Sequence, residues 1–159
     1  MDKKEVAITR IFDAARETVF SAWLDPERMQ RWWGPRMFTT PVCELDARPG
    51  GLIRIHMKGP DGVVYPMTGT FHEIVEPERI VMTTRAVPNK KGKPQLEALI
   101  TATFTEQKGR TKLTVHAVVV KSTPAAKTAI AGMEKGWRQS LHKLAEELRN
   151  FPEIYEEIE

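Results

Sequence analysis

The sequence predicts an α+β domain: a curved antiparallel sheet of about six to seven strands wrapped on a long C-terminal helix, with two short helices after the first strand. Three observations predict it. Six segments between residues 41 and 121 are rich in Val, Ile, Thr and aromatics and are divided by tight-turn residues. Ala126, Ile130, Met133, Trp137, Leu141, Leu144 and Leu148 then step by 4, 3, 4, 4, 3 and 4, one apolar stripe along a helix. Between the opening strand and the first of the six segments, Asp25-Pro26-Glu27 combines an N-cap, a first-turn proline and an acid, the signature of a helix start.

Taken in order, Val6, Ile8 and Phe12 fall on one side of a two-residue alternation, so the chain opens with a half-buried strand. From about Ala15, Val19, Phe20, Trp23 and Leu24 recur at helical spacing, and this first helix stops near Asp25. The second short helix runs into Trp32-Trp33-Gly34-Pro35, where glycine and proline end it. Residues 41–46, 52–58, 63–75, 79–87, 95–106 and 111–121 are the following strands. Pro49-Gly50-Gly51, Pro60-Asp61-Gly62, Glu76-Pro77-Glu78 and Lys108-Gly109 punctuate them. Turns this short join antiparallel neighbours, because a parallel pair needs a crossover of a dozen or more residues. Ile53, Ile55 and Met57 alternate with Arg54, His56 and Lys58, and Leu113, Val115, Ala117 and Val119 with Lys112, Thr114 and His116. One face of the sheet is therefore apolar and the other wet. After Ser122-Thr123-Pro124 the striped segment predicts one helix of about 27 residues and about 40 Å, ending near Asn150 ahead of Pro152.

A chain of 159 residues with 41% hydrophobic and 28% charged residues holds one core, which places a single domain at 1–151 and an acidic tail at 152–159. Residues 1–150 carry 24 bases and 17 acids, and the last nine carry four acids. The basic excess invites a nucleic-acid reading, but that needs Lys and Arg gathered on one face. Lys90, Lys91 and Lys93 occupy one expected turn and Lys108, Arg110 and Lys112 the next, at opposite ends of a meander, so no nucleic-acid partner is expected. Met1-Asp2-Lys3-Lys4-Glu5 lacks the apolar stretch of a signal peptide, and the longest apolar run, Ala117 to Val120, is far below the ~20 residues that span a bilayer. Cys43 has no second cysteine to pair with. A cytoplasmic protein without membrane insertion is the expectation.

Chemistry-bearing motifs are few. Of the four histidines, His56 and His116 share strand parity with basic and hydroxyl residues, His72 follows Phe71, and His142 sits beside Leu141, so all four read as outward or structural. His72-Glu73 begins like a zinc-binding HExxH, but Glu76 stands where the second histidine belongs and the segment is a strand. Gly50-Gly51 leads into a strand rather than a phosphate-binding helix, and no GxSxG elbow is present. Cys43 reads as a small buried apolar residue. No catalytic residue, metal or cofactor is assigned.

Several motifs in order carry a resemblance. Trp32-Trp33-Gly34-Pro35, Pro49-Gly50-Gly51, Asp61-Gly62, Gly69-Thr70-Phe71 followed by Glu76-Pro77-Glu78-Arg79-Ile80-Val81, and Gly136-Trp137 with Leu141 are similar to those of the START-like superfamily. Within it the chain resembles the bacterial branch related to the C-terminal domain of the activator of Hsp90 ATPase. The resemblance implies the helix-grip fold and a cavity under the long helix, used across the superfamily for lipids, hormones and polyketide chemistry. It implies binding of a small hydrophobic molecule first, a cyclase- or hydrolase-type enzyme in the same cavity second, and an Hsp90-type co-chaperone interaction third.

Ligand pockets are concave and mostly apolar with a few oriented polar groups. Trp33 and Phe38 near the short helices, Tyr65, Met67 and Phe71 along one strand, and Met133 and Trp137 on the long helix are the candidates to line one. Any one of them alone reads as plain core, and the set together outlines a site. The enzyme reading would need acids or bases turned inward, and Arg54, Arg85, Glu97 and His116 all fall on the face expected to be wet. An edge strand, the first or the second, is free to pair with a copy of itself in a homodimer.

Overall fold

The structure, a computed structural model, describes residues 4–150, so the expected acidic tail lies outside the described residues. The chain runs β1 (Glu5–Phe12), α1 (Arg16–Ala22), α2 (Pro26–Trp32), β2 (Thr39–Leu45), β3 (Leu52–Lys58), β4 (Val64–Val75), β5 (Arg79–Pro88), β6 (Pro94–Gln107) and β7 (Arg110–Ser122). A 3-10 turn (Pro124–Ala126), α3 (Lys127–Ala131) and α4 (Met133–Asn150) complete it.

All seven strands form one antiparallel sheet in the order β1-β7-β6-β5-β4-β3-β2. β2 to β7 is a meander, as the short turns require, and β1 returns to the far side of β7, with Ile8 opposite Val115. The edges are thus β1 and β2. The basic turns around Lys91 and Lys108 sit at the two ends of β6, whose 14 residues span roughly 45 Å when extended. Gly51 shows why the β2–β3 turn is glycine-rich: a Cβ there would lie 1.8 Å from the Asp46 carbonyl oxygen, so only glycine lets the turn close.

Alternation puts Ile53, Ile55, Met67, Phe71, Ile80, Met82, Ile100, Ala102, Phe104, Leu113, Val115 and Ala117 on the concave face, each buried. Against them pack Val19, Phe20, Trp23 and Trp32 from the α1–α2 segment and Trp137, Leu141 and Leu144 from α4. α2 starts where the sequence places it: the Asp25 carboxylate accepts the Glu27 N–H at 3.0 Å and Pro26 occupies the first turn. The buried Trp32 indole donates to the Ala22 carbonyl at 3.0 Å, tying α2 back to α1.

The C-terminal helix differs from expectation. It is not one rod of about 27 residues but α3 and α4 joined at Gly132, and α4 has 18 residues, about 27 Å. Gly132 has φ −91° and ψ 1°, away from α-helical values, and glycine is the weakest helix former after proline. Its N–H still reaches the Thr128 carbonyl at 3.1 Å and its carbonyl accepts from Gly136 at 2.9 Å, so the helix bends without unravelling. The stripe continues through the bend, but its burial does not: Leu141 and Leu144 are buried, Met133 and Ile130 only partly.

Candidate functional site

Between α4 and the sheet, the N-terminal half of α4 is packed through aromatic contacts. Trp137 stacks on Trp23 with ring centroids 5.8 Å apart and meets the edge of Trp33 at 5.3 Å. Trp23 in turn touches Trp32 at 5.0 Å and Phe104 at 6.0 Å. Trp33 is held from both sides: its N–H bonds to the Met29 carbonyl at 2.8 Å, and its carbonyl accepts from the Thr40 hydroxyl at 2.9 Å. The indole N–H of Trp23, although buried, has no hydrogen-bond partner among the described residues. An unpaired buried donor costs about 1–3 kcal/mol.

The seven candidate residues fall into two groups. Trp33, Met67, Phe71 and Trp137 are in the core, and Met133 packs on its margin. Phe38 and Tyr65 lie outside that cluster and face each other at 5.8 Å, Tyr65 being 43% exposed. Register explains the split. Met67 stands opposite Ile55 on one side and Ala86 on the other, and Ala86 stands opposite Leu96, making one inward row across β3, β4, β5 and β6. Tyr65, two residues earlier, belongs to the same face but lies next to the β3–β4 turn, opposite Met57. Phe38 reaches it from the loop after α2, where Gly34 (φ +99°) turns the chain and its N–H bonds to the Ser140 hydroxyl of α4 at 3.0 Å.

Cover over that row is uneven: Ile55 and Met67 are buried, and the β5–β6 end is more open. α3 contributes no buried residue, Ile130 and Met133 are half-buried, and Ala86 and Leu96 below are only partly covered. At the other end of α4 the packing is tight and charged. Glu147 is 4% exposed, and its carboxylate accepts from Arg31 Nε at 2.7 Å and Nη2 at 2.8 Å while Arg28 Nε lies 3.2 Å away. The hydrogen bond to Glu147 raises the pKa of Arg31, against the opposing effect of burial. Sequence reasoning missed this ion cluster. The signal was present: Ser140 and Glu147 each follow a stripe residue, Trp137 and Leu144, by three positions and so share the packed face.

Beside this cluster α2, the 35–38 loop and α4 enclose a groove of about 280 Å³ lined by Arg31, Arg36, Met37, Phe38, Lys143, Glu146, Glu147 and Asn150. A second hollow, about 480 Å³, lies over β2 to β5 with Glu44, Leu52, Arg54, Thr68 and Arg85 among its lining residues. On the sheet's outer face Arg54 donates to Glu44 at 3.0 Å, Arg85 lies 3.7 Å from Glu97, and His116 lies 3.2 Å from Glu5. The four residues that an enzyme reading would want inside thus point away from α4. His72 contacts the Thr83 hydroxyl, and His142 lies 3.7 Å from Glu146. Burial pushes the Cys43 thiol up to about 12, with Asp25 and Glu44 adding to the effect, so it is not a thiolate at neutral pH. Among the described residues no three His, Cys, Asp or Glu side chains are grouped to hold a metal ion, and no helix is long and apolar enough to cross a membrane.

Residues 13–149 match the family model described as Activator of Hsp90 ATPase homolog 1-like protein. The chain belongs to this family. Its fold is shared with solved bacterial members of the activator-like group and their neighbours. A solution structure from Arthrobacter aurescens superposes with a TM-score of 0.80 at 25% identity, covering 94% of this chain and 88% of that one. A crystal structure from Chromobacterium violaceum gives 0.74 at 27% identity over 89% and 94% of the two chains. One from Silicibacter pomeroyi, itself named as an activator-of-Hsp90-ATPase-type protein, gives 0.74 at 24% over 91% and 97%. No curated protein sequence matches this chain. Membership of the activator-like family accounts for the helix-grip architecture.

Proposed function

We propose that the chain binds a small, largely apolar molecule between the sheet and the C-terminal helix, at the α3 end. The observation that carries this reading is the uneven cover of the concave face. Around Trp23, Trp33 and Trp137 the interface is packed ring on ring, whereas Ala86 and Leu96, at the end of the inward row that starts with the buried Ile55 and Met67, are only partly covered, and the segment of the C-terminal helix before Gly132 contributes no buried residue. Burial of apolar surface contributes about 25 cal/mol per Å², so a ligand that completes this cover gains what the chain itself leaves unused. Met67 and Met133 suit such a wall because a thioether side chain adapts to varied shapes. Phe38 and Tyr65 form its rim, and Tyr65 brings a hydroxyl to the mouth. The placement of Arg54, Arg85, Glu97 and His116 on the outer face supports binding over turnover, since an acid or base must reach the reacting atom.

The test uses N-phenyl-1-naphthylamine, a neutral apolar fluorophore. Its emission rises saturably with the wild-type chain, and Met67→Trp, which fills the row, abolishes the rise while leaving the circular dichroism spectrum unchanged. Emission that stays at the buffer level with wild type, or that Met67→Trp leaves intact, overturns the reading.

A further inference from the structure

The groove between α2, the 35–38 loop and α4 has a composition that the apolar site does not explain. Its walls carry three cationic side chains, Arg31, Arg36 and Lys143, two carboxylates, Glu146 and Glu147, the Asn150 amide, and two apolar groups, Met37 and Phe38. The carboxylates are already engaged. Glu147 takes two hydrogen bonds from Arg31, and Glu146 lies 3.3 Å from Arg36 and 3.7 Å from His142.

Lys143 is different. Its ammonium donates to the Gly34 carbonyl at 3.3 Å and the Pro35 carbonyl at 3.5 Å, and among the described residues no carboxylate lies within ion-pair distance of it. Half-buried and beside Arg36, it is pulled below the ordinary lysine pKa, by burial first and by the Arg36 charge second. An ammonium has three protons to donate. This one is tied by two backbone carbonyls at the wall of a cavity, which leaves one proton for a further acceptor.

The loop that forms the opposite wall is strained at one position. Met37 adopts φ +74°, the left-handed region that non-glycine residues rarely occupy, and presents its side chain 78% exposed. Such outliers gather at ligand clamps, where surrounding structure holds them. The hydrogen bonds from the Arg36 N–H to the Gln139 side chain at 3.0 Å and from the Gly34 N–H to Ser140 hold this loop onto α4.

We propose that this groove binds a small organic anion, its carboxylate or phosphate group on Lys143 and Arg36 and its apolar body against Phe38 and Met37. The charged group would take the spare Lys143 proton and the guanidinium edge of Arg36, an arrangement suited to either oxyanion. The occupant is a separate ligand class from the neutral molecule of the apolar site. Phe38 stands at the boundary between the two, with Tyr65 on one side and the groove on the other.

Isothermal titration with benzoate and with phenyl phosphate, each at constant ionic strength, tests the site and tells the two oxyanions apart. At least one binds the wild-type chain saturably, Lys143→Met weakens it by about tenfold or more, and Arg54→Met on the far face of the sheet leaves it unchanged. Amide shifts of residues 34–38 and 143 on titration place the ligand independently of the variant's stability. No saturable binding of either anion, equal affinity in Lys143→Met, or shifts confined to residues outside the groove would overturn the proposal. Binding of N-phenyl-1-naphthylamine is untouched by Lys143→Met, so failure here and failure of the apolar site are read separately.

Discussion

Glu147 is the residue on which the C-terminal end of α4 depends. Its carboxylate is nearly sealed from water, with two guanidiniums around it, and together they tie α4 to α2. Removing one member of a buried pair leaves the others desolvated and unpaired, which typically costs 3–5 kcal/mol. Arg31 is 41% exposed along its side chain, so water recovers part of that loss. Glu147→Ala is accordingly expected to lower the unfolding free energy by about 2–3 kcal/mol, measured by urea denaturation with the slope unchanged. A loss below about 0.5 kcal/mol would show that the pair is solvated in practice. The unpaired Trp23 indole is the complementary case, a polar group paying for burial without a partner among the described residues. Neither feature was visible from residue type alone. A glutamate three positions after Leu144 reads as solvated until α2 supplies its arginines, and those lie more than a hundred residues away in sequence.

At the scale of elements, the strands were legible because period-two alternation and turn residues are local signals. β3 matches its expected bounds, and the other strands of the meander differ from theirs by one or two residues. α2 was equally legible, since an N-cap and a first-turn proline act within one turn. The helix break was not. The apolar stripe keeps its spacing across Gly132, so the pattern reports which face is inward and says nothing of backbone continuity. Gly132→Ala tests what the break does. A Cβ at this position meets only the Thr128 carbonyl at 3.7 Å and the Ala129 carbonyl at 4.0 Å, so alanine fits. It should stabilise the chain by about 0.5–1 kcal/mol through helix propensity. Straightening the helix also shifts α3 relative to the Met67 row, and the affinity for N-phenyl-1-naphthylamine should fall. Raised stability with unchanged affinity would remove α3 from the site.

For the whole molecule, the bases that sequence composition displays are scattered over the outer face and the two ends of the sheet, and several of the arginines are paired: Arg54 with Glu44, Arg79 with Glu73, Arg85 with Glu97. On the concave side, one end of the sheet–helix interface is packed by tryptophans, and at the other Ala86 and Leu96 are only partly covered. The seven candidate residues were chosen from strand parity and stripe position, and these assigned the inward faces of β4 and α4 to Met67, Phe71 and Trp137. What they did not reach is depth along the interface. Whether an inward aromatic fills space or borders it depends on what faces it, as Trp23 faces Trp137 and Phe38 faces Tyr65.

The most direct measurement is the methyl spectrum of the full chain, carbon-labelled at its seven methionines, during titration with N-phenyl-1-naphthylamine. Saturable shifts are expected at Met67 and Met133, with Met29 in α2 and Met37 at the anion groove unmoved. Saturation with Met67 and Met133 unchanged, or with shifts centred on Met37, would contradict binding at the apolar site.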